Sequence, residues 1–150
     1  MNLQKAESIM EGTATVVKHT GSHYLLAQLP SWRLFPAVLR GKVRLGGSSA
    51  TNPVAVGDRV EFHTDGDLLP DGSVPASETA PAAITRILPR RNYIIRKSVN
   101  LSRQAHIIAA NVDHAFIVVT LAFPEVKLPF IDRLLVTCEV YGVKPVIVLN

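Results

Sequence analysis

The sequence predicts a small closed β-barrel of the OB type followed by the opening βαβ unit of a parallel α/β domain. Two observations carry this reading. About 75 residues after Gly12 hold five short β-prone segments divided by glycine and proline turns, the pattern of a small antiparallel barrel. From Ala115 the pattern becomes an apolar run, a segment of helical period and a second apolar run, as in a parallel crossover unit. The composition agrees: 150 residues, 47% hydrophobic and 19% charged, exclude disorder, collagen and coiled coil.

The elements follow in order. Thr13–His19 is rich in β-branched residues, Thr20-Gly21-Ser22 makes a turn, and His23–Leu29 is the hairpin partner. Leu34–Arg44 is a third strand, where Pro36 demands an edge or a bulge. Gly46–Ser49 and Asn52-Pro53 are loop chemistry. Val56-Gly57-Asp58 turns into an alternating fourth strand that reaches Phe62, and Ala83–Leu88 is the fifth, closed by Pro89. Between the last two, Asp65–Pro81 carries Asp65, Asp67, Asp71, Glu78 and no base, and reads as a long, mobile acidic loop. Its spacing does not match a calcium-binding EF-hand.

In the second half, Ile107–Asp113 adds an early strand. Ala115–Leu121 has the continuous apolar character of a strand buried on both faces. Phe130–Tyr141 repeats apolar residues near the helical period, Gly142 supplies the stop, and Pro145–Leu149 is a second buried strand. The expected organisation is a tail over 1–11, a barrel over 12–89, a basic linker over 90–101 and the start of an α/β domain over 102–150. Two buried strands lack the cover that a parallel sheet requires, so the chain reads as the front portion of a longer protein.

Charge is unevenly placed. The net charge is +4, and no acid lies between Glu78 and Asp113, a gap that holds Arg86, Arg90, Arg91, Arg96, Lys97 and Arg103. Such a strip is either a solvated linker or a surface for a polyanion such as nucleic acid. The single cysteine, Cys138, excludes a disulfide framework and fits a reducing compartment. There is no signal peptide and no apolar run long enough to span a bilayer, so a soluble, cytoplasmic protein is expected.

Single residues offer weaker signals. His19 and His23 flank a hairpin turn and lack the further ligands of a metal site. Asp132 reads as an early-helix carboxylate favoured by the helix dipole, in preference to catalysis with Asp113. Tyr24 and Trp32 suit base stacking or packing. Asn150 lies one residue beyond a buried strand, where open α/β sheets bind ligands, and its amide offers a donor and an acceptor to a base edge.

Several motifs in consistent order resemble one family. Gly41–Leu45, Thr51–Val60, Ile87–Tyr93, Ala109–Asp113, Phe130–Arg133 and Pro145–Asn150 are similar to the N-terminal part of the bacterial small-subunit-dependent GTPases of the RsgA family. The resemblance runs from about Gly12 to Asn150. It implies an OB-fold, then a circularly permuted GTPase domain of the P-loop type, and last a zinc-binding domain.

Permutation places the guanine-reading Asn-Lys-x-Asp motif before the phosphate-binding loop, and Asn150 matches its Asn. The Lys, the Asp, the phosphate loop, the switches and the zinc ligands would lie beyond this chain. No G-x-x-x-x-G-K-[ST] occurs within it, so no catalytic and no metal residue is expected here. Ala37 stands where many members have a cysteine.

The implied function is GTP hydrolysis, with magnesium, in late maturation of the small ribosomal subunit, by a cytoplasmic monomer. The expected phosphate contacts to ribosomal RNA are Arg40, Lys42, Arg44, Arg90, Arg91, Arg96 and Lys97, with Arg40, Lys42 and Arg44 alternating along one strand. The alternative is a non-enzymatic OB-fold module that binds RNA.

Overall fold

A computed structural model describes residues 9–40, 54–97 and 105–150. Lys42, Arg44 and the glycine loop after them lie outside the described residues. The chain divides into two compact units, residues 1–89 and 90–150.

The first unit is a closed barrel with strand order β1-β2-β3-β5-β4. Its strands are β1 (Ile9–Thr20), β2 (His23–Gln28), β3 (Arg33–Leu39), β4 (Arg59–Asp65) and β5 (Ala82–Ile87). Closure depends on β1, whose 12 residues serve two neighbours. Ile9–Thr15 pair with β4, while Thr15–Thr20 pair with β2 across a register shift between Val16 and Lys18. A shift of this kind bends and twists a strand, as a small barrel requires.

Pro36 sits where its missing N–H is tolerated: β3 pairs with β2 from Arg33 to Val38, but meets the parallel β5 only from Ala37 onward. Alternate residues point inward, so Val16, Leu26, Phe35, Val60, Phe62 and Ile84 fill the barrel. Phe35 and Phe62 meet as tilted rings with centroids 4.8 Å apart.

The acidic segment 66–81 is anchored, contrary to the expectation of a free loop. Val74 is buried in the barrel core, and Ala76 packs against that core.

The second unit opens with β6 (Tyr93–Lys97), paired antiparallel with β7 (Ala105–Ala110). Tyr93–Lys97, expected to be linker, are therefore strand. Next come β8 (His114–Val119), α1 (Leu128–Val140) and β9 (Lys144–Leu149), with β8 and β9 parallel and in register from His114–Lys144 to Val119–Leu149. This is the βαβ unit that the sequence predicts. Ile117 and Val119 pack on Ile131, with Leu134 and Leu135 beside them, while Phe116 and Val118 remain exposed. The strand is thus buried on one face, because α1 covers only one.

Pro129 lies in the first turn of α1, where its missing N–H costs nothing. The helix ends on Gly142, whose φ is 64°. Its N–H donates to the Glu139 carbonyl at 3.1 Å, and Val143 donates to Cys138 at 2.8 Å, the Schellman arrangement that a left-handed glycine permits. Asp132 falls beyond the first turn, which holds no acid, so the early-helix role expected for it is not realised.

Candidate functional site

Asn150 follows β9, next to the end of β8. Its backbone N–H donates to the Val119 carbonyl at 2.9 Å, and its carbonyl accepts from Leu121 at 3.3 Å. The parallel ladder therefore pins Asn150 at the carboxyl edge of the sheet. Its side chain is exposed, at the edge where open α/β sheets bind ligands. One amide there can accept from and donate to a base edge, but it cannot cradle phosphates.

Asn92 is buried and organises the same unit. Its amide nitrogen donates to the Val112 carbonyl at 2.7 Å and to the Gly142 carbonyl at 3.1 Å. Its amide oxygen accepts from the Val112 N–H at 2.7 Å. One side chain thus ties the approach to β6, the turn before β8 and the turn before β9. Sequence reading passed over it as part of a motif. The available signal was a carboxamide next to a short strand, the residue type that satisfies backbone groups at turns.

The cationic residues are placed unevenly. Arg40 lies just past β3, not within it, and is exposed. It borders a cleft of about 250 Å³ that His63, Asp65, Thr79 and Pro81 also line. Arg91 contacts the carboxylate of Asp113, and its backbone N–H donates to the Asn111 side chain at 2.9 Å. Arg86 forms a two-point pair with Glu61, with one contact of 2.9 Å from its Nε. Two bases of the acid-free gap are therefore matched by acids from outside it. Arg90 is partly buried just before β6. Arg96 and Lys97 lie on β6, and only their backbone is described.

Tyr24 is buried in the barrel core, stacked against His19 at 5.1 Å. Burial raises its phenol above the ordinary value, and it packs instead of offering a face to a base. Trp32 is exposed on the β2–β3 turn. Among the described residues, no group of three or more His, Cys, Asp or Glu is gathered to hold a metal. Among the described residues no helix is long and apolar enough to cross a membrane.

The first unit is a closed five-stranded barrel of the OB type, and the second contains a parallel βαβ unit with an amide at its carboxyl edge. The comparisons find similarity to one group of proteins. The protein-family model for RsgA GTPase matches residues 87–150. The small ribosomal subunit biogenesis GTPase RsgA of Flavobacterium psychrophilum is 41% identical over 138 residues, covering 92% of this chain and 39% of the relative. Its counterpart in Porphyromonas gingivalis is 46% identical over 136 residues, covering 90% and 39%.

Among solved structures, YjeQ from Thermotoga maritima aligns with a TM-score of 0.59 and 28% identity, over 94% of this chain and 41% of that one. YloQ, described as a circularly permuted GTPase, aligns with a TM-score of 0.56 and 20% identity, over 99% and 43%, which speaks for the fold alone. The chain is similar along nine-tenths of its length to members of the RsgA family, and it spans about 39% of the length of those curated relatives.

Proposed function

We propose that this chain supplies the RNA-binding barrel and the start of the GTPase domain of an enzyme that hydrolyses GTP to GDP and phosphate during late maturation of the small ribosomal subunit. The observation that carries the reading is the 41–46% identity to RsgA proteins across nine-tenths of the chain. The barrel is the part proposed to hold ribosomal RNA, through the phosphate contacts named above. Arg40 is the best placed of them among the described residues, being exposed at a cleft. Asn150 is proposed to read the guanine edge, accepting from and donating to the base.

Stimulation by the subunit follows if GTP favours the conformation that binds it, since a ligand shifts an equilibrium only by its differential affinity for two states. Magnesium with GTP and zinc in a further domain belong to the family expectation, and no step is assigned to them here. The protein is proposed to act in the cytoplasm as a monomer.

Two experiments test this. The coding sequence after Asn150 should continue as Lys-x-Asp and later encode a phosphate-binding loop. A stop codon there would leave a non-enzymatic RNA-binding module. The purified 150 residues should show no GTP turnover above a mock preparation, because they contain no phosphate-binding loop. Turnover by this chain would contradict the assignment of catalysis to residues outside it.

A further inference from the structure

We propose that the cleft beside Arg40, on the outer face of the barrel, is a pocket for one unstacked guanine base of a single-stranded RNA. The proposal deepens the reading of Arg40 as a phosphate contact and rests on it.

The cleft follows from strand register. Val38 of β3 is the ladder partner of Ala83 of β5, and Ala83 is the partner of His63 of β4. Directly opposite partners project from the same face of a sheet. Ala82 and Ile84, on either side of Ala83, fill the barrel core, so this row faces outward. Its middle position carries only a methyl group. A trough therefore lies between taller walls, Val38 and Arg40 on one side and His63 and Asp65 on the other. Its volume is about 250 Å³. A cavity of about 150 Å³ holds benzene, and drug-sized sites begin near about 300 Å³, so the trough suits one bicyclic base.

The remaining wall is shaped before any ligand arrives. Ser77 and Ala80 exchange backbone hydrogen bonds at 3.0 and 3.2 Å. The Ser77 hydroxyl also accepts from the Ala80 N–H at 3.1 Å and lies 3.1 Å from the Thr79 hydroxyl. Beside this turn, the Pro75 carbonyl accepts from the Thr64 hydroxyl at 3.4 Å. Ala83 is only 4% exposed although it faces outward, which shows how closely the turn and the walls shelter the floor.

Charge and hydrogen bonding select the occupant. Arg40 is exposed at the cleft, and a guanidinium suits a phosphate oxygen. The Asp65 carboxylate in the same cleft repels a second phosphate, so the part of a nucleotide that enters beside it is the uncharged base. An ionised carboxylate only accepts hydrogen bonds, through two oxygens. Guanine alone among the four bases presents two adjacent N–H donors, N1–H and the N2 amino group, on its Watson–Crick edge. Unstacked bases of single-stranded RNA are read on such edges, with imidazole among the groups on which they stack, and His63 supplies one.

The full chain is titrated at fixed salt with the single-stranded pentanucleotides UUGUU, UUIUU and UUUUU, where inosine lacks the N2 amino group. UUGUU should bind at least about fivefold more tightly than either of the others. Asp65→Ala should bring the ratio of UUGUU to UUIUU affinity close to one. The ratio is the decisive readout, because removal of an acid raises affinity for every polyanion and moves all three oligonucleotides together. Asp65 is exposed at the end of β4, and circular dichroism confirms that the variant is folded. Equal affinity of the wild type for UUGUU and UUIUU, or a preference that survives in Asp65→Ala, overturns the guanine pocket and leaves RNA binding by the barrel standing. Absence of binding to all three overturns the phosphate reading and the pocket with it.

Discussion

Asp58 is the one fully buried charged residue among the described residues, and it secures the turn that enters β4. Its carboxylate accepts from the Ala55 N–H at 2.8 Å, while its own carbonyl accepts from Val16 at 2.9 Å where β1 shifts register. Removing the acceptor leaves a buried donor unpaired, which costs more than the net worth of the bond. Asp58→Ala should lower barrel stability by about 1.5–3 kcal/mol in urea denaturation, and Asp58→Asn, which keeps an acceptor, by less. The sequence revealed the turn but not the carboxylate's burial, because burial depends on barrel closure.

Asp71 makes a pH prediction. The Ser73 hydroxyl, then the Ser73 backbone N–H, hold its carboxyl below the ordinary carboxylate value. Because the folded-state value is depressed, its contribution is present above the ordinary value and is lost as pH falls through the depressed one. Arg33, next to Trp32, lies 3.9 Å from this carboxylate, so Trp32 emission should change on acidification below the ordinary carboxylate range. Asp71→Asn should abolish that change. A profile unaltered by the substitution would show that the loop does not depend on this charge.

The barrel strands were legible because β-branched and apolar segments bounded by glycine and proline turns are local signals, with clear alternation in β4. Three features were not. β6 carries Arg96 and Lys97 and follows Arg90-Arg91, so its composition reads as linker, and only its antiparallel pairing with β7, a non-local fact, makes it strand. The anchoring of 66–81 involves Val74 and Ala76, which pack on the barrel core with no periodicity to announce them. The one-sided burial of β8 is hidden because both of its faces are apolar in sequence. The same logic predicts dynamics. Strands of a closed barrel have both neighbours, whereas among the described residues β8 and β9 pair only with each other, and α1 covers one face of β8. Amides of Ile117–Val119 and Val146–Leu149 should exchange with deuterium faster than those of Leu26, Val60 and Ile84. Equal protection would mean that the βαβ unit is as stable as the barrel.

Taken across the chain, the charge distribution separates functions that the net value conceals. Of the six bases in the acid-free gap, Arg86 and Arg91 face carboxylates, whereas Arg40, outside that gap, borders an open cleft. The placement of Asn150 just past β9 was legible because the apolar run before it marks the strand and its end. The pairing of Arg86 and Arg91 was not, since it joins residues 25 and 22 positions apart. We propose that the barrel grips the small ribosomal subunit through phosphate contacts. This grip is tested most directly by a salt titration of the binding of this chain to isolated small subunits. Arg40→Ala, Lys42→Ala and Arg44→Ala together should weaken binding and reduce the slope of log affinity against log salt by about 2–3, at roughly 0.7–0.9 per contact. Arg86→Ala, whose charge is spent on Glu61, should leave the slope unchanged. An unaltered affinity and slope in the triple variant would contradict the account.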